Sequence, residues 1–486
     1  MSHAALSMAS ITAAATQLLS WDQACTKPEL NQLLAKGDPR HSQLHGKLQL
    51  THQACQMLCS LNDFDRKQVI NELVQICRDP NAPDIARERT RGWRRLLRTR
   101  YPFGGYHYLI KFAVVGGSLV VDEIYFDYKL LGARGVGQER NALYNVERAG
   151  SVRMTESVDA NIVAKLMADW GGTAPRPIHR IETLHAAVNG MLNDLNKAAW
   201  LMGTHVDVAY AQDQISSYSL FHNPSDGLYE DAFESAWDKG YLPRRRSYSH
   251  NVNHLAAVLR DTQQRGHQTR WVVHSQGAII FSKAVRLASQ IYGGSFACHK
   301  VSVHGSGASI FSLRQACQLA GIEVVAVRNN PFDPVPNVFG CSGLLGSGLA
   351  RSLMCVDLVA GNNPLASPHT LPFLGLRTYY HQLKASGNHV RAGVVKGYLV
   401  IDEFRSGYGP VGQAAAKAAS SRMGQAAFMK RRMLLDPSYV HASWKRNRIH
   451  SSSTKTGRIL LTELCLRKKE EDGEKASTFM FTENCA

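Results

Sequence analysis

Three side chains, far apart along the chain, have the types that nucleophilic ester chemistry needs. Ser275 lies between His274 and Gln276 in RWVVHSQGAIIFSKAV, where an apolar run changes abruptly into a helical pattern. A serine hydroxyl is a weak nucleophile until a histidine takes its proton, and that histidine needs a carboxylate to hold its ring. Downstream, Asp333 follows an apolar run in GIEVVAVRNNPFDPVPNVFG, and His369 lies in the loop GNNPLASPHTLPFLG. These residues predict a Ser–Asp–His hydrolytic triad.

The predicted elements around Ser275 suit a nucleophile. SHNVNHLAAVLRDTQQRG has apolar residues on one helix face, TRWVV is a short buried strand, and QGAIIFSKAVRLASQI begins a second helix. A serine on so sharp a strand-to-helix turn has a strained backbone that excludes large neighbours, and Gly277 meets this requirement. Val273 stands where the usual GxSxG pattern has its first glycine. The alternative is that Ser275 only caps the following helix, since serine is among the best N-caps.

The same turn is expected to supply part of an oxyanion hole. The N–H groups that begin the second helix, starting with Gln276, would face the oxygen on which charge develops. A second donor is expected from a loop that follows an earlier strand, and SSYSLFHNPSDGLYEDAFESAWDK offers His222 and Asn223 directly after an apolar run. The alternative for NPSDG is an ordinary turn.

Other residues compete for the roles of acid and base. The chain has 20 histidines, so His369 can also be an ordinary surface histidine. Around Asp333, FDPVPN is a sequence that forms an Asx turn before proline without any catalytic role. The competitors are three histidines for the base and one aspartate for the acid: His304, His381, His389 and Asp357.

As a set, four segments resemble a known family of enzymes. SLFHNPSDGLYEDAFESAWDK, VVHSQGAIIFSKAV, VHGSGAS and NNPFDPVPNVFG are similar to the α/β-hydrolase domains of bacterial secreted lipase effectors and polymorphic toxins, which include type VI secretion lipases and the ends of filamentous-haemagglutinin-like exoproteins. The resemblance covers roughly residues 200–372. It implies an α/β fold with a mostly parallel sheet and helices on both faces, and Ser275, Asp333 and His369 follow one another in the order of that fold.

The resemblance also implies a function. It suggests a toxin that cleaves acyl esters of membrane phospholipids, is delivered by a secretion machine and is countered by an immunity protein. An alternative that fits the same triad is an esterase or thioesterase that acts on a small soluble acyl substrate.

The sequence outside the predicted catalytic domain divides into three further regions. We expect an N-terminal helical region over residues 1–83 and a basic segment with a β-hairpin over 84–150. The α/β domain is expected over 180–405, followed by a C-terminal helix and a basic, partly mobile tail over 406–486.

One short segment recurs within the chain. VVGGSLVVDEI (114–124) and VVKGYLVIDEF (394–404) match at seven of eleven positions. The first contains Gly116-Gly117 between two β-rich runs, which is typical of a hairpin turn. The repeat therefore predicts two similar β-hairpins that flank the α/β domain or derive from a duplicated module, the alternative being a coincidence between two β-rich segments.

The chain is strongly basic, with a formal net charge of +17 from 56 Lys+Arg and 39 Asp+Glu. Such a charge attracts anionic partners. We expect the basic segments 87–100 and 430–448 to hold the protein on a phospholipid surface, the alternative for 87–100 being a solvated helix face. The charge also allows a non-catalytic binder of nucleic acid or another polyanion, in which Ser275 is a helix cap, although we favour lipid. Within the first basic segment, the arginines expected to bind the anionic surface are Arg91, Arg94, Arg95 and Arg98.

Composition sets the expected compartment. The ten cysteines include no CxxC pair, which favours free thiols in a reducing compartment. No apolar run reaches the roughly 18 to 20 residues that a membrane span needs, and the first residues do not resemble a secretory signal. We therefore expect synthesis in the cytoplasm without a signal peptide, followed by secretion or delivery to a target cell. No metal or organic cofactor is expected.

Overall fold

The structure is a computed structural model that divides the chain into two compact units, Met1–Leu374 and Gly375–Ala486. Within the ranges it describes, no helix is long and apolar enough to cross a membrane. These ranges are residues 18–34, 38–80, 85–87, 94–96, 108–126, 142–190, 193–223, 250–340, 347–361, 363–371 and 375–406.

The N-terminal part of the first unit contains a six-stranded sheet with the strand order β1-β2-β6-β5-β4-β3. Side chains from its strands and helices, such as Trp21, Leu50, Leu73 and Ile110, form one hydrophobic core. The strands are β1 Leu19–Ser20, β2 Leu48–Leu50, β3 Ile85–Arg87, β4 Arg94–Leu96, β5 Tyr108–Val115 and β6 Ser118–Phe126. The helices are α1 Trp21–Ala24, α2 Pro28–Leu34, α3 Pro39–Leu44, α4 His52–Ser60 and α5 Asp63–Arg78.

The first of the two predicted hairpins is present in this sheet. Strands β5 and β6 pair in antiparallel fashion and are joined by Gly116 and Gly117, whose φ angles are 59° and 81°. A two-residue hairpin turn of this kind requires positive φ at both positions, which glycine adopts without steric cost.

The basic segment is not a helix where the structure describes it. Strands β3 and β4 pair with each other, and β4 continues the sheet beside β5, so that Arg94 and Arg95 lie in an extended strand. Pairing with a neighbouring strand here outweighs the local propensity of an arginine-rich sequence. Arg91 and Arg98 lie outside the described residues.

The second part of the first unit contains a seven-stranded sheet with the order β13-β12-β11-β9-β10-β7-β8. The five strands from β13 to β10 are parallel to their neighbours, whereas β7 and β8 pair in antiparallel fashion. The fold is therefore mixed α/β with a mostly parallel sheet. The strands are β7 Ala142–Glu147, β8 Arg176–Ile178, β9 His185–Val188, β10 Ser217–His222, β11 Thr269–His274, β12 His299–His304 and β13 Glu323–Arg328.

The sheet begins at Ala142 rather than near residue 180, because β7 pairs with β10 although most of the α/β pattern follows later in the sequence. A strand that precedes the strand–helix alternation in the sequence can still belong to the sheet, because pairing depends on contact in space and not on position along the chain.

Helices cover both faces of this sheet. Trp271 in β11 contacts Phe281 in α9, whereas His274 in the same strand contacts His205 in α7. Because alternate residues of a strand point to opposite faces, Trp271 and His274 face opposite sides. The helices are α6 Ile162–Gly171, α7 Leu195–Ala209, α8 His250–Gln264, α9 Gln276–Tyr292, α10 Ile310–Leu319, α11 Ser347–Leu353 and α12 Val356–Ala360.

The described part of the second unit consists of two helices, α13 Leu376–Ala385 and α14 His389–Ser406. The prediction of a second hairpin over 394–404 was wrong, since these residues belong to α14. Lys396 stands where the first hairpin has Gly116, so the pair of glycines that the tight turn needs is missing. The segment instead continues a helix that packs against α13.

Candidate functional site

Ser275 occupies a strained turn between β11 and α9. Its φ and ψ angles are 55° and −126°, and it is the only non-glycine residue in the described ranges with positive φ. Such a backbone conformation is costly for a residue with a side chain and is found mainly where function requires it. Ser275 stands at the N-cap position of α9, yet its side chain makes no capping hydrogen bond. The helix-cap alternative therefore does not describe how this side chain is used.

The loop after β12 holds the turn from one side. Ser275 N–H donates to the His304 carbonyl at 3.3 Å, and Gly307 N–H donates to the Ser275 carbonyl at 3.0 Å. A Cβ atom on Gly307 would lie 3.0 Å from the same carbonyl oxygen. The small residue at 307 thus permits the close approach that makes this bond.

Strand β9 holds the turn from the other side. A Cβ atom on Gly277 would lie 2.5 Å from the Val188 carbonyl oxygen, so glycine is required there. Val273 is fully buried in the core on one face of the sheet. The three atoms nearest to such a Cβ belong to Val188 and Asn189 at the end of β9, and none of them belongs to Val273.

Asp333 and His369 form a buried pair. His369 Nδ1–H donates to Asp333 Oδ2 at 2.7 Å, and Asp333 is only 1% exposed. The other carboxylate oxygen, Oδ1, accepts the N–H of Val335 at 2.9 Å. The sequence offered an Asx turn and a histidine partner as alternatives for Asp333. The structure has both, because the turn uses Oδ1 and the histidine uses Oδ2.

The His369 ring lies against the same loop that holds Ser275. A Cβ atom on Gly305, whose φ is 51°, would lie 3.1 Å from both Nδ1 and Cε1 of His369. The Ser275 side chain lies at the other side of this loop and makes no capping hydrogen bond to α9.

Two buried histidines hold the loop that carries His369. The His274 ring lies between those of His369 and His205, tilted against both, with centroid separations of 4.5 Å on each side. His274 Nε2 lies 2.9 Å from the His369 carbonyl oxygen, and His205 Nε2 lies 3.2 Å from that of Thr370. Because a carbonyl oxygen only accepts, both Nε2 atoms carry hydrogen.

A third histidine completes this cluster. His205 Nδ1 must accept the Nδ1–H of His304 at 2.8 Å, since its own hydrogen is on Nε2. His304 Nε2 then accepts the hydroxyl of Ser302 at 3.0 Å. Burial lowers the pKa of His205, His274 and His304 well below the usual range, so all three are neutral. Both nitrogens of His304 are used in this way, which removes it as a competing base.

The residues that follow β9 lie directly against Ser275. A Cβ atom on Gly190 would lie 2.5 Å from Ser275 Cβ and 3.0 Å from its Oγ. Gln276 begins α9, and the first N–H groups of a helix have no partner within it. The start of α9 and the loop at Gly190 are therefore the backbone segments next to Ser275.

The structure does not support the predicted donors at His222 and Asn223. Strand β9 separates β10, which ends at His222, from β11. Asn223 N–H already donates to Asn189 Oδ1 at 2.8 Å. The Asn223 side chain instead donates to Gln276 Oε1 at 2.8 Å and so helps to position the residue after Ser275.

The remaining candidates for acid and base lie in other elements of the chain. His381 and His389 belong to the second unit, and Asp357 lies in the short helix α12. Outside the described residues lie the second basic segment, 430–448, and the two ends of the chain, 1–17 and 407–486.

Three residues of the site were missed from the sequence: Gly190, Gly305 and His205. The first two follow buried strands in HAAVNG and KVSVHGSG, so a search for glycine after every parallel strand would have found them. His205 lies in the middle of the buried helix α7, where nothing in the local pattern distinguishes it from a core residue.

No protein-family model, curated protein or solved structure matches this chain.

Proposed function

We propose that the chain is a serine ester hydrolase in which Ser275, His369 and Asp333 form the triad. The observation that carries the proposal is the left-handed backbone of Ser275 at a strand-to-helix turn, beside a buried Asp–His pair. A nucleophile on such a turn, followed in chain order by the acid and then the histidine, is typical of the α/β-hydrolase arrangement.

We infer the role of each side chain from its hydrogen bonds. Since Nδ1 of His369 carries the hydrogen donated to Asp333, Nε2 has the lone pair and acts as the base. Ser275 Oγ attacks the acyl carbon while His369 takes its proton. The resulting imidazolium protonates the departing alcohol, which leaves an acyl-serine. Water, activated by the same histidine, then releases the acid and restores the hydroxyl.

Backbone N–H groups stabilise the oxyanion of each tetrahedral intermediate. The donors we propose are the N–H of Gln276 and an N–H of the loop at Gly190. The loop donor takes the place of the donors predicted at residues 222–223. Each such donor contributes on the order of 3 kcal/mol to stabilisation of the transition state.

The substrate we propose is the acyl ester of a membrane phospholipid. The net charge of +17 favours adsorption to an anionic bilayer, where each basic residue near the surface contributes about 1 kcal/mol. The resemblance to secreted lipase effectors extends the proposal to delivery into a target cell by a secretion machine, with an immunity protein as a partner.

The test compares wild type with Ser275→Ala on vesicles of mixed zwitterionic and anionic phospholipids. We expect fatty-acid release from wild type only. A matched control is Ser289→Ala, which removes another serine hydroxyl from α9 that has no hydrogen-bond partner within the described residues. Equal release by wild type and Ser275→Ala would refute the assignment.

Two further measurements separate the alternatives. A fluorophosphonate probe should label wild type and Ser289→Ala but not Ser275→Ala, and no labelling at all would favour a non-catalytic binder. Hydrolysis of soluble short-chain esters without release from vesicles would keep the triad but replace the lipid substrate with a soluble acyl ester.

A further inference from the structure

A group of metal-ligating side chains lies in the N-terminal part of the first unit, in elements that carry none of the triad. Asp22 is in the first turn of α1, His41 is in α3, and His45 follows the last residue of α3. His45 Nδ1 is 2.8 Å from Asp22 Oδ1, and His41 Nε2 is 3.7 Å from the same oxygen. One potential ligand atom from each residue lies within 4.8 Å of the others. The geometry points to a binding site for a divalent transition metal, with Zn²⁺ as the best fit.

The distances suit a tetrahedral ion. Zinc binds imidazole nitrogen and carboxylate oxygen at about 2.0–2.2 Å, which places two neighbouring ligand atoms about 3.4 Å apart. The observed separations of 2.8 and 3.7 Å from Asp22 Oδ1 lie on either side of this value. Small rotations of the side chains therefore bring all three atoms around one ion, and a water molecule completes four ligands.

The sequence spacing supports the same conclusion. His41 and His45 are four residues apart at the end of α3, so they project from the same side of consecutive turns. Asp22 is held at the start of α1, where Ser20 and Gln23 form a capping box. The ligands thus come from two short helices whose backbones are fixed by other interactions.

The ligand types select the class of metal. Two imidazoles and one carboxylate suit zinc and its neighbours in the first transition row, whereas Ca²⁺ and Mg²⁺ prefer sites made of oxygen ligands. The side chains of Asp22, His41 and His45 are 44%, 40% and 64% exposed, so the ion can enter from solvent. Cys25 Sγ lies 3.9 Å from His41 Nδ1, the ring nitrogen that does not face Asp22.

The site joins two elements of one core. Trp21 and Ala24 of α1, and Leu44 of α3, belong to the same hydrophobic core, so an ion that bridges the helices stabilises their packing. Its role is structural, and it is independent of the proposed hydrolase activity.

The test uses the full chain, freed of metal with a chelator and kept reduced. Calorimetric titration with Zn²⁺ should show one site in wild type, with affinity reduced at least tenfold in Asp22→Asn and in His45→Ala. His52→Ala, which removes an exposed histidine at the start of α4, is the matched control and should bind as wild type does.

Cobalt distinguishes this site from the cysteines of the chain. Bound Co²⁺ should show visible d–d bands without the near-ultraviolet charge-transfer band of cobalt–thiolate bonds, and Cys25→Ser should retain them. The proposal is overturned if wild type binds no Zn²⁺, if Asp22→Asn and His45→Ala both bind it as wild type does, or if the thiolate band dominates the Co²⁺ spectrum.

Discussion

His369 Nδ1 lies 2.7 Å from Asp333 Oδ2, although 36 residues separate the two side chains along the sequence. The carboxylate is almost completely buried, and its second oxygen accepts a backbone N–H. An aspartate held in this way orients the ring and stabilises the charge that forms on it during proton transfer.

Replacing Asp333 with asparagine should lower kcat for ester hydrolysis by about 10⁴-fold, because the amide would stabilise the wrong tautomer of the imidazole. Folding should change little, since an asparagine Oδ1 can still accept the Val335 N–H. The measurement is steady-state hydrolysis, supported by the rate of fluorophosphonate labelling. Asp357→Asn serves as the control and should retain wild-type kcat, and an equal loss in both variants would contradict the assignment.

Gly190→Ala should slow fluorophosphonate labelling at least tenfold while the chain still folds. The new methyl group would lie 2.5 Å from Ser275 Cβ, so the nucleophile or the loop after β9 must move. A control is Gly393→Ala in α14, where the added carbon would meet nothing within 4 Å beyond its chain neighbours and the backbone of its own helix. Normal labelling of Gly190→Ala would show that the close contact does not matter for reactivity.

His274→Phe should lower kcat about tenfold with little change in KM. The variant retains an aromatic ring beside His369 but loses the donor to the His369 carbonyl, a hydrogen bond whose loss costs about 1–3 kcal/mol in a buried site. His274→Gln, which can restore the donor, should recover part of kcat. His299→Gln alters a buried histidine that instead contacts Trp271 and the Leu259 carbonyl. The His299→Gln variant should have the kcat of wild type. If His274 has only a structural role, His274→Phe and His299→Gln should change kcat to the same extent.

Stability should decrease as the pH falls below 6.5. Burial lowers the pKa of His299 from 6.5 to about 4, so the unfolded chain binds a proton in this range that the folded chain does not. The contribution of His299 is complete above pH 6.5 and is lost as the pH falls towards 4, by about 3 kcal/mol in total. Burial lowers the pKa values of His205, His274 and His304 in the same direction, which steepens the loss.

Denaturant unfolding between pH 7.5 and 4.5 measures this effect. His299→Gln can accept from Trp271 and donate to Leu259 as the histidine does, but it cannot titrate. Its free energy of unfolding should therefore depend less steeply on pH than that of wild type. Identical slopes would mean that His299 is protonated to the same extent in the folded and unfolded chains.

Local patterns in the sequence were sufficient to place Ser275 between a strand and a helix. The apolar run of β11 and the amphipathic pattern of α9 are short-range signals, and the glycine at 277 indicates a crowded turn. The same holds for the hairpin at Gly116 and Gly117 and for Asp333 after β13. Each of these features depends on side-chain periodicity or turn chemistry within a few neighbouring residues, so it can be recognised from the sequence alone.

The order of strands in the sheet was decided by tertiary structure. The loop at Gly190 lies against Ser275 only because β9 is placed between β10 and β11, and no periodicity encodes that neighbour relation. The same is true of His205 and His304, which meet across 99 residues, and of the segment 394–404, which has a strand-like sequence but continues a helix. Side-chain patterns specify which face of an element is apolar, whereas packing in three dimensions determines which elements those faces meet.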